Sequence, residues 1–208
     1  MPIYATNSGT RRELIPAGNY IGRCYQMIHI GTVQETYLGE PKQFNKVRIG
    51  WELPTERKVF KEENGEQPYV ISKEFTLSMN EKSNLRKMLA SWRGKDFGED
   101  EAKKFDITKL LGVACMINII HKPKASDPTT VYEQIASITP VPKGMKAPDQ
   151  ENKNVVLSYE AFDWDIFNSL PDFLKDKIKS SIEFSKIQQP NHIHSHNNEP
   201  EYSNDLPF

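Results

Sequence analysis

Apolar and polar residues alternate through three stretches of the first 80 positions. The clearest is FNKVRIGWELP at 44–54, where four apolar residues stand at every second position. A period of two places alternate side chains on opposite faces of a β-strand. The same period recurs in AGNYIGRCYQMIHIGTVQETY at 17–37 and in YVISKEFTLSM at 69–79. The pattern therefore predicts three strands, joined by a turn at 38–43 and a charged loop at 57–68.

The period changes after the third strand. Asn80 is a candidate helix N-cap, and EKSNLRKMLASWRG then carries apolar residues at helical spacing as far as Gly94. A glycine directly after the last periodic residue is typical of a helix C-terminus. EDEAKKFDITKLLG is a second helical stretch, and GVACMINIIHK and TTVYEQIASITPVP are predicted as two more strands.

Three strands, a helical insert and two strands make up the element order of a five-stranded oligonucleotide-binding (OB) barrel. Another small barrel or half of a sandwich would have the same number of strands, so the order favours the OB-fold without excluding them. We predict a mainly β protein with an OB-fold domain at 16–147. A flexible N-terminus at 1–15 precedes it, a linker with a C-terminal amphipathic helix at 148–187 follows, and a disordered acidic tail at 188–208 ends the chain.

Composition indicates a soluble protein with an uneven charge. No apolar run is long enough to span a bilayer and none resembles a signal peptide, so we expect no membrane association. Cys24 and Cys115 lie far apart in apolar runs, which favours buried thiols in a cytoplasmic protein over a disulfide. Residues 1–147 hold 22 Lys and Arg against 17 Asp and Glu, whereas residues 148–208 hold 5 against 11. A basic body with an acidic extension suits a polyanion binder, although ordinary variation in surface charge is an equal alternative.

No catalytic constellation is visible in the sequence. It contains no glycine-rich phosphate loop, no nucleophile elbow, no HExxH motif and no carboxylate pair with metal-ligand spacing. HIHSH at 192–196 has alternate imidazoles that suit a transition metal, but a polar linker is the favoured interpretation. We therefore expect no enzyme activity, no cofactor and no metal.

Basic and aromatic side chains share the predicted strands, a combination typical of proteins that hold single-stranded nucleic acid. Lys46 and Arg48 fall on the outward face of the second strand, and Lys73 lies on the third. These two strands form the usual ligand platform of an OB barrel. Trp51 and Phe75 have the parity of core residues, so burial is the competing interpretation for both. The candidate DNA-binding residues are Arg23, Tyr25, Phe44, Lys46, Arg48, Trp51, Lys73, Phe75, Arg86 and Arg93.

Three long blocks between Pro16 and Lys186 are specific enough to carry a resemblance. They are ISKEFTLSMNEKSNLRKMLASWRGKDF; LLGVACMINIIHK with YEQIASITPVPKG; and FNSLPDFLKDKIKSSIEF. These blocks are similar to a family of phage and prophage single-stranded DNA-binding proteins. The resemblance implies an OB-fold that coats exposed DNA during phage replication or recombination, in the cytoplasm of a bacterial host.

The chain ends in DLPF, which is similar to the tip of bacterial single-stranded DNA-binding proteins. Those proteins end in an acidic segment whose last residues are an acid, an aliphatic residue, proline and phenylalanine. A terminal phenylalanine can enter an apolar pocket while its α-carboxylate pairs with a basic residue. The last ten residues hold only three acids, a lower density than in the bacterial proteins. The resemblance implies that Asp205, Leu206, Pro207 and Phe208 bind replication or recombination proteins.

The sequence thus predicts a non-catalytic single-stranded DNA-binding protein whose helix near 162–186 packs on the barrel or on a second protomer, so a homodimer is one predicted state. A protein-interaction module with little DNA affinity, such as a phage factor that binds host replication or defence proteins, is the alternative. A metal-dependent nuclease is a more remote one, because the sequence has no carboxylate cluster.

Overall fold

The structure, a computed structural model, describes residues 13–187. Five antiparallel strands form a nearly closed, OB-like barrel in the order β3-β2-β1-β4-β5, which confirms the predicted fold class. The edges of the third and fifth strands face each other, and Lys73 Nζ donates a hydrogen bond across them to the Ile135 carbonyl at 3.1 Å. The strands are β1 (Gly18–Tyr37), β2 (Glu40–Val59), β3 (Glu66–Thr76), β4 (Ala114–Lys124) and β5 (Asp127–Thr139).

β1 is long and bent, so it takes part in both halves of the barrel. Its first residues pair with β4, and most of its length pairs with β2. Bulges after Cys24 and after His29 strengthen its twist. Gly31 has φ +92°, and a Cβ at this position would lie 2.8 Å from the Ser181 side chain. Glycine is needed there because the C-terminal segment approaches the β1 backbone so closely.

The β1–β2 and β2–β3 hairpins are both longer than the sequence indicates. Leu38 and Gly39 alone form the first turn, and the pairing of β2 with β3 continues to Val59 and Glu66. The turn predicted at 38–43 is therefore mostly strand, and the loop predicted at 57–68 is half strand, at 57–59 and 66–68. Charged residues continue these strands because each added pair satisfies backbone hydrogen-bonding groups beyond the edge of the apolar core.

The helical insert closes one end of the barrel between β3 and β4. It contains α1 (Asn84–Arg93) and α2 (Glu99–Lys104), followed by a 3-10 turn at Ile107–Leu110. Ser83 is the N-cap of α1, since its Oγ accepts a hydrogen bond from the Arg86 amide, so the predicted Asn80 cap is wrong. Gly94 ends the helix in the left-handed conformation, as predicted. The buried core that α1 shares with the barrel includes Cys24, Ile49, Trp51, Leu85, Leu89, Trp92, Ile117 and Ile138.

The C-terminal segment packs on the outside of the barrel around a second apolar core. Its elements are β6 (Val155–Leu157), which pairs in parallel with β1, α3 (Trp164–Ser169) and α4 (Asp172–Lys179). The sequence predicted one or two helices here, and the structure has two. The buried members of this second core are Ile28, Ile30, Val33, Leu157, Phe167, Leu170, Leu174 and Ile178.

The segment predicted as a linker is fixed to the barrel. The Glu52 side chain is fully buried, and its carboxylate accepts hydrogen bonds from the Glu151 and Asn152 amides, both at 2.7 Å. The Arg23 guanidinium donates to the Pro148 carbonyl at 2.5 Å. A buried carboxylate is stable here because backbone donors replace its lost water.

Cys24 and Cys115 are both buried and free, in agreement with the sequence prediction. Burial raises the pKa of the Cys24 thiol to about 12, so it is an inert core residue at neutral pH. Within residues 13–187, no helix combines the length and the apolar character needed to cross a membrane. The same residues contain no group of three or more His, Cys, Asp or Glu placed to hold a metal ion.

Candidate nucleic-acid interface

The outward face of β2 and β3 is partly covered by α4. Lys177 of this helix reaches down between two carboxylates, 3.1 Å from Glu35 and 2.6 Å from Glu74. Glu35 also pairs with Lys46 at 2.7 Å, and Glu74 lies 3.4 Å from Arg48. These five side chains form one ion-pair network. Lys46 and Arg48, predicted to contact phosphates, therefore both have carboxylate partners in the protein itself.

The pKa shifts in the network show that its charges stabilise one another. Burial alone would raise the pKa of Glu35, but hydrogen bonds from Lys46 and Lys177 hold it below its ordinary value of 4.5. Burial alone would lower the pKa of Lys177, but Glu74 and Glu35 hold it above 10.5. Glu35 and Lys177 therefore stay charged at neutral pH, and their ion pair attaches α4 to the sheet.

Beyond the network the same face is open and forms a groove. Arg48 lies at its centre, where two adjoining clefts meet, one against the start of α4 and one toward β5. Phe173 on α4 is 59% exposed and Phe60 at the end of β2 is 49% exposed. We call this surface the β2–β3 groove and define it by Tyr25, Arg48, Phe60, Val70, Ser72 and Phe173.

The aromatic rings of the groove are held in place by their neighbours. The Arg48 guanidinium lies over the Phe173 ring, 5.5 Å from its centroid. Phe60 packs edge-to-face on Tyr69 with ring centroids 5.2 Å apart. Exposed rings beside an arginine can stack on bases and contact a phosphate at the same time.

A second cluster of cations and rings lies where β1 meets β2. The Tyr37 and Phe44 rings pack edge-to-face at 6.1 Å, and Lys42 Nζ lies 5.5 Å from the Tyr37 centroid and 5.8 Å from that of Phe44. Tyr37 and Lys42 are exposed, whereas Phe44 is half-buried. Phe44 was predicted from sequence and lies here, at the hairpin, not in the groove.

Two predicted stacking residues are core residues instead. Trp51 is 0% exposed and packs on Trp92 with ring centroids 5.9 Å apart, and Phe75 is 3% exposed. Both side chains lie on the apolar face of their strand, which points into the barrel. Their prediction as DNA contacts is wrong, because neither ring has surface to offer a base.

Two predicted arginines hydrogen-bond within the fold. Arg86 is buried and donates to the Phe97 carbonyl at 2.7 Å and to the Met79 carbonyl at 3.3 Å. Arg23 donates to the Gly112 carbonyl at 2.7 Å as well as to Pro148. Arg86 also pairs with Asp96 at 3.2 Å and with Glu99 at 3.1 Å, so its guanidinium is engaged within the fold. Both arginines therefore have structural roles, and neither lines the β2–β3 groove.

The remaining predicted residues lie at three separate places. Tyr25 lines the β2–β3 groove and is partly buried there. Arg93 is at the end of α1, stacked over Phe97 at 4.9 Å and paired with Glu101 at 2.5 Å. Lys73 faces the gap between β3 and β5. Of the ten predicted residues, the groove therefore brings together only Tyr25 and Arg48.

Sequence reasoning missed the most exposed apolar members of the groove. Phe173 lies in the segment predicted as an amphipathic helix, where an apolar residue is expected to pack, and Phe60 lies in a run of charged residues that predicted a loop. The usable signal was the isolated aromatic in KVFKEEN, since a lone ring among charges has no core to join.

Asp205, Leu206, Pro207 and Phe208, the predicted partner-binding tip, lie outside the described residues. So does the HIHSH segment. The chain matches no protein-family model, and no curated protein or solved structure matches it either.

Proposed function

We propose that this protein is a non-catalytic single-stranded DNA-binding protein that coats and protects exposed DNA in phage replication and recombination. The observation that supports this best is the β2–β3 groove, in which Arg48 lies beside the exposed ring of Phe173 and shares a cleft with Phe60. Rings accept bases of any sequence, and a guanidinium contacts phosphate oxygens, so the groove suits a strand without sequence preference.

The electrostatics of the groove favour moderate affinity. Arg48 already has Glu74 at 3.4 Å, so a phosphate would compete with this carboxylate for the guanidinium. Stacking on exposed rings would then contribute much of the binding free energy. The dependence of affinity on salt should be shallow, with a slope of about −0.7 for each phosphate neutralised on a single strand.

Partner binding and location belong to the same proposal and rest on the sequence. The segment from Asp205 to Phe208 recruits replication or recombination proteins, and the protein acts in the cytoplasm of a bacterial host, where a homodimer is one candidate assembly. The two free, buried thiols are compatible with a reducing compartment.

The direct test is a titration of a fluorescent oligothymidylate, compared with a duplex, at two salt concentrations. Phe173→Ala should weaken binding of the single strand by about 5-fold to 100-fold, the range expected for one lost stacking contact. Phe60→Ala should also weaken it. Tyr132→Ala is the matched control, since this partly exposed ring on β5 lies outside the groove and should leave affinity unchanged. Equal affinity of wild type, Phe173→Ala and Phe60→Ala would refute the proposed site.

A protein-interaction module is the second candidate. The exposed apolar side chains of Phe60, Val70 and Phe173 favour it, because a patch of this kind also suits a protein partner. The same titration separates the two functions: an interaction module would bind neither single-stranded nor duplex DNA at either salt concentration.

A further inference from the structure

A separate pocket lies where the barrel is not fully closed, between β3, β5 and α1. Its volume is about 330 Å³. Lys73 enters it from β3, and Ile135 and Ser137 enter it from β5. We call it the seam pocket, and its polar lining consists of Lys73, Asn84, Lys87, Ser91 and Ser137.

The lining is rich in hydrogen-bond donors. Two ammonium groups, the Asn84 side-chain amide and the Ser137 hydroxyl surround the pocket, and none of its described lining residues carries a carboxylate. The Ser91 hydroxyl already donates to the Ile138 carbonyl at 2.6 Å. The rest of the lining is mostly apolar and includes Phe75, Met88 and Ile138. Polar donors beside an apolar wall suit a ligand that has an anionic end and a less polar body.

Lys73 is the residue that makes this pocket unusual. It lies on the same face of β3 as the core residues Ile71 and Phe75, so its side chain is directed to the barrel seam and not to solvent. Its ammonium lies 5.7 Å from the Phe75 centroid and donates to the Ile135 carbonyl. Burial and then the nearby charge of Lys122 lower the pKa of Lys73.

No ion pair involves Lys73 or Lys87 within residues 13–187. Within these residues the Ile135 carbonyl and the Phe75 ring offset the cost of partly burying the Lys73 charge. An anion in the pocket would supply the missing compensation, because a half-buried cation gains most from a partner of opposite charge.

We propose that the seam pocket binds the phosphate group of a nucleotide, with Lys73 and Lys87 contacting its oxygens and the sugar or base lying against Met88. A phosphate has several acceptor oxygens in a tetrahedral arrangement, which matches donors that converge from β3, β5 and α1. The cavity volume exceeds that of an ion and falls at the small end of ligand pockets. A free nucleotide and a phosphodiester within a strand share this chemistry.

The test uses the full chain and three probes: inorganic phosphate, thymidine monophosphate and the oligothymidylate. Binding is followed by calorimetry and by phosphorus NMR. Lys73→Met and Lys87→Met should each weaken at least one probe by about tenfold or more, the effect of losing one charge-assisted hydrogen bond. Lys82→Met is the control, because this lysine is exposed just before α1 and does not line the pocket.

Lys87 is exposed, so its variant tests the pocket even if Lys73→Met folds poorly. Competition identifies the source of the phosphate. Displacement of thymidine monophosphate by the oligonucleotide assigns the pocket to strand phosphates, and a monophosphate that is not displaced assigns it to free nucleotides. The proposal is overturned if wild type binds no probe, or if both lysine variants bind every probe as wild type does.

This proposal and the function assigned to the β2–β3 groove fail independently. Phe173→Ala tests the groove and does not touch the seam pocket, whereas Lys87→Met tests the pocket and leaves the groove intact. If oligonucleotide binding depends on Phe173 and no probe depends on Lys87, the groove is supported and the seam pocket is rejected. If monophosphate binding depends on Lys87 and no oligonucleotide binds, the seam pocket is supported and the groove is rejected.

Discussion

Two partly buried lysines on the barrel, Lys177 on α4 and Lys73 on β3, have opposite electrostatic environments. Lys177 lies between Glu35 and Glu74, and these carboxylates raise its pKa above 10.5. Lys73 has a carbonyl and a ring for neighbours, and its burial lowers the pKa. Lys177 therefore stabilises the packing of α4, whereas Lys73 is a partly buried charge that has no carboxylate partner among residues 13–187.

The difference shows which cations are available to a ligand. Lys46 and Lys177 each have a carboxylate partner, so an added phosphate would have to displace it. Lys73 has no such partner among residues 13–187. A basic residue is available for binding when the fold has not already neutralised it, and neither its charge nor its strand position reveals this.

The largest expected effect comes from detaching α4. Leu174 is buried in the second core, so Leu174→Ala should lower the free energy of unfolding by about 2–5 kcal/mol through lost contacts and a cavity. Phe173→Ala on the neighbouring exposed residue should change it by less than about 0.5 kcal/mol. Urea denaturation measures both. Equal losses in the two variants would mean that α4 is not held by its apolar face.

Removing the charge of Lys177 should have a smaller effect. Lys177→Met leaves Glu35 and Glu74 facing each other without their shared cation, and we expect a loss of about 1–2 kcal/mol after allowing for partial solvent screening. Lys179→Met is the control, since that side chain is half exposed and its pair with Asp176 is long, at 3.8 Å. A stability loss no larger than that of the control would remove the ion-pair network as the attachment of α4.

Removing the charge of Lys73 should have the opposite sign or no effect. Lys73→Met keeps an unbranched side chain in the seam and eliminates the buried charge, at the cost of one hydrogen bond to the Ile135 carbonyl. The free energy of unfolding should stay level or rise by up to about 1 kcal/mol at neutral pH. A loss as large as that of Lys177→Met would contradict the contrast between the two lysines.

The smallest effect is a difference in pH dependence. Since the folded-state pKa of Lys73 is lowered, the unfolded chain binds more protons in the window below 10.5, and Lys73 makes stability rise with pH there. The contribution of Lys177 to the free energy of unfolding has the opposite trend. It is complete below pH 10.5 and is lost as the pH rises through the raised pKa of Lys177. Urea titrations from pH 7 to 10.5 should show the gap between Lys73→Met and wild type shrinking. A constant difference in the free energy of unfolding would show that folding does not disfavour the charged form of Lys73.

Glu35 makes the stability of the protein depend on pH in the acidic range. The lowered pKa of Glu35 means that its contribution is complete above 4.5 and is lost as pH falls through the folded value. Lys177→Met removes one of the two hydrogen-bond donors of Glu35, so its stability should fall less steeply below pH 4.5 than that of wild type. Parallel curves for the two proteins would argue against the coupling of Glu35 to Lys177.

Much of the fold was predictable because it depends on local periodicity. The five strands lie where apolar residues recur at about every second position. The helix that ends at Gly94 and the two C-terminal helices lie where the spacing of apolar residues becomes helical. β6 was missed because three residues are too few to show a period, and the segment is held by the distant Glu52. Strand ends were placed too early because charged hairpin residues resemble loop residues.

The candidate site was less predictable than the fold. Arg48 was identified from its outward parity, and Trp51 was open to both interpretations until its burial was known. The structural roles of Arg23 and Arg86 were not visible in the sequence, because their acceptors, at 112, 148 and 97, come from other segments of the chain. Such pairings depend on where loops return, and strand periodicity carries no information about that.

The sequence by itself determined that this protein is mainly β, with five strands and a helical insert, and it favoured a barrel, because side-chain periodicity selects the element and the order of elements limits the topology. Only the tertiary structure decided which cations remain available. α4 folds back over the β2–β3 face, where Lys177 shares the Glu35 carboxylate of β1 with Lys46, while the incomplete closure between β3 and β5 leaves Lys73 without a carboxylate partner among residues 13–187. The reason is physical: periodicity is local, whereas the charge compensation of a side chain depends on residues a hundred or more positions away.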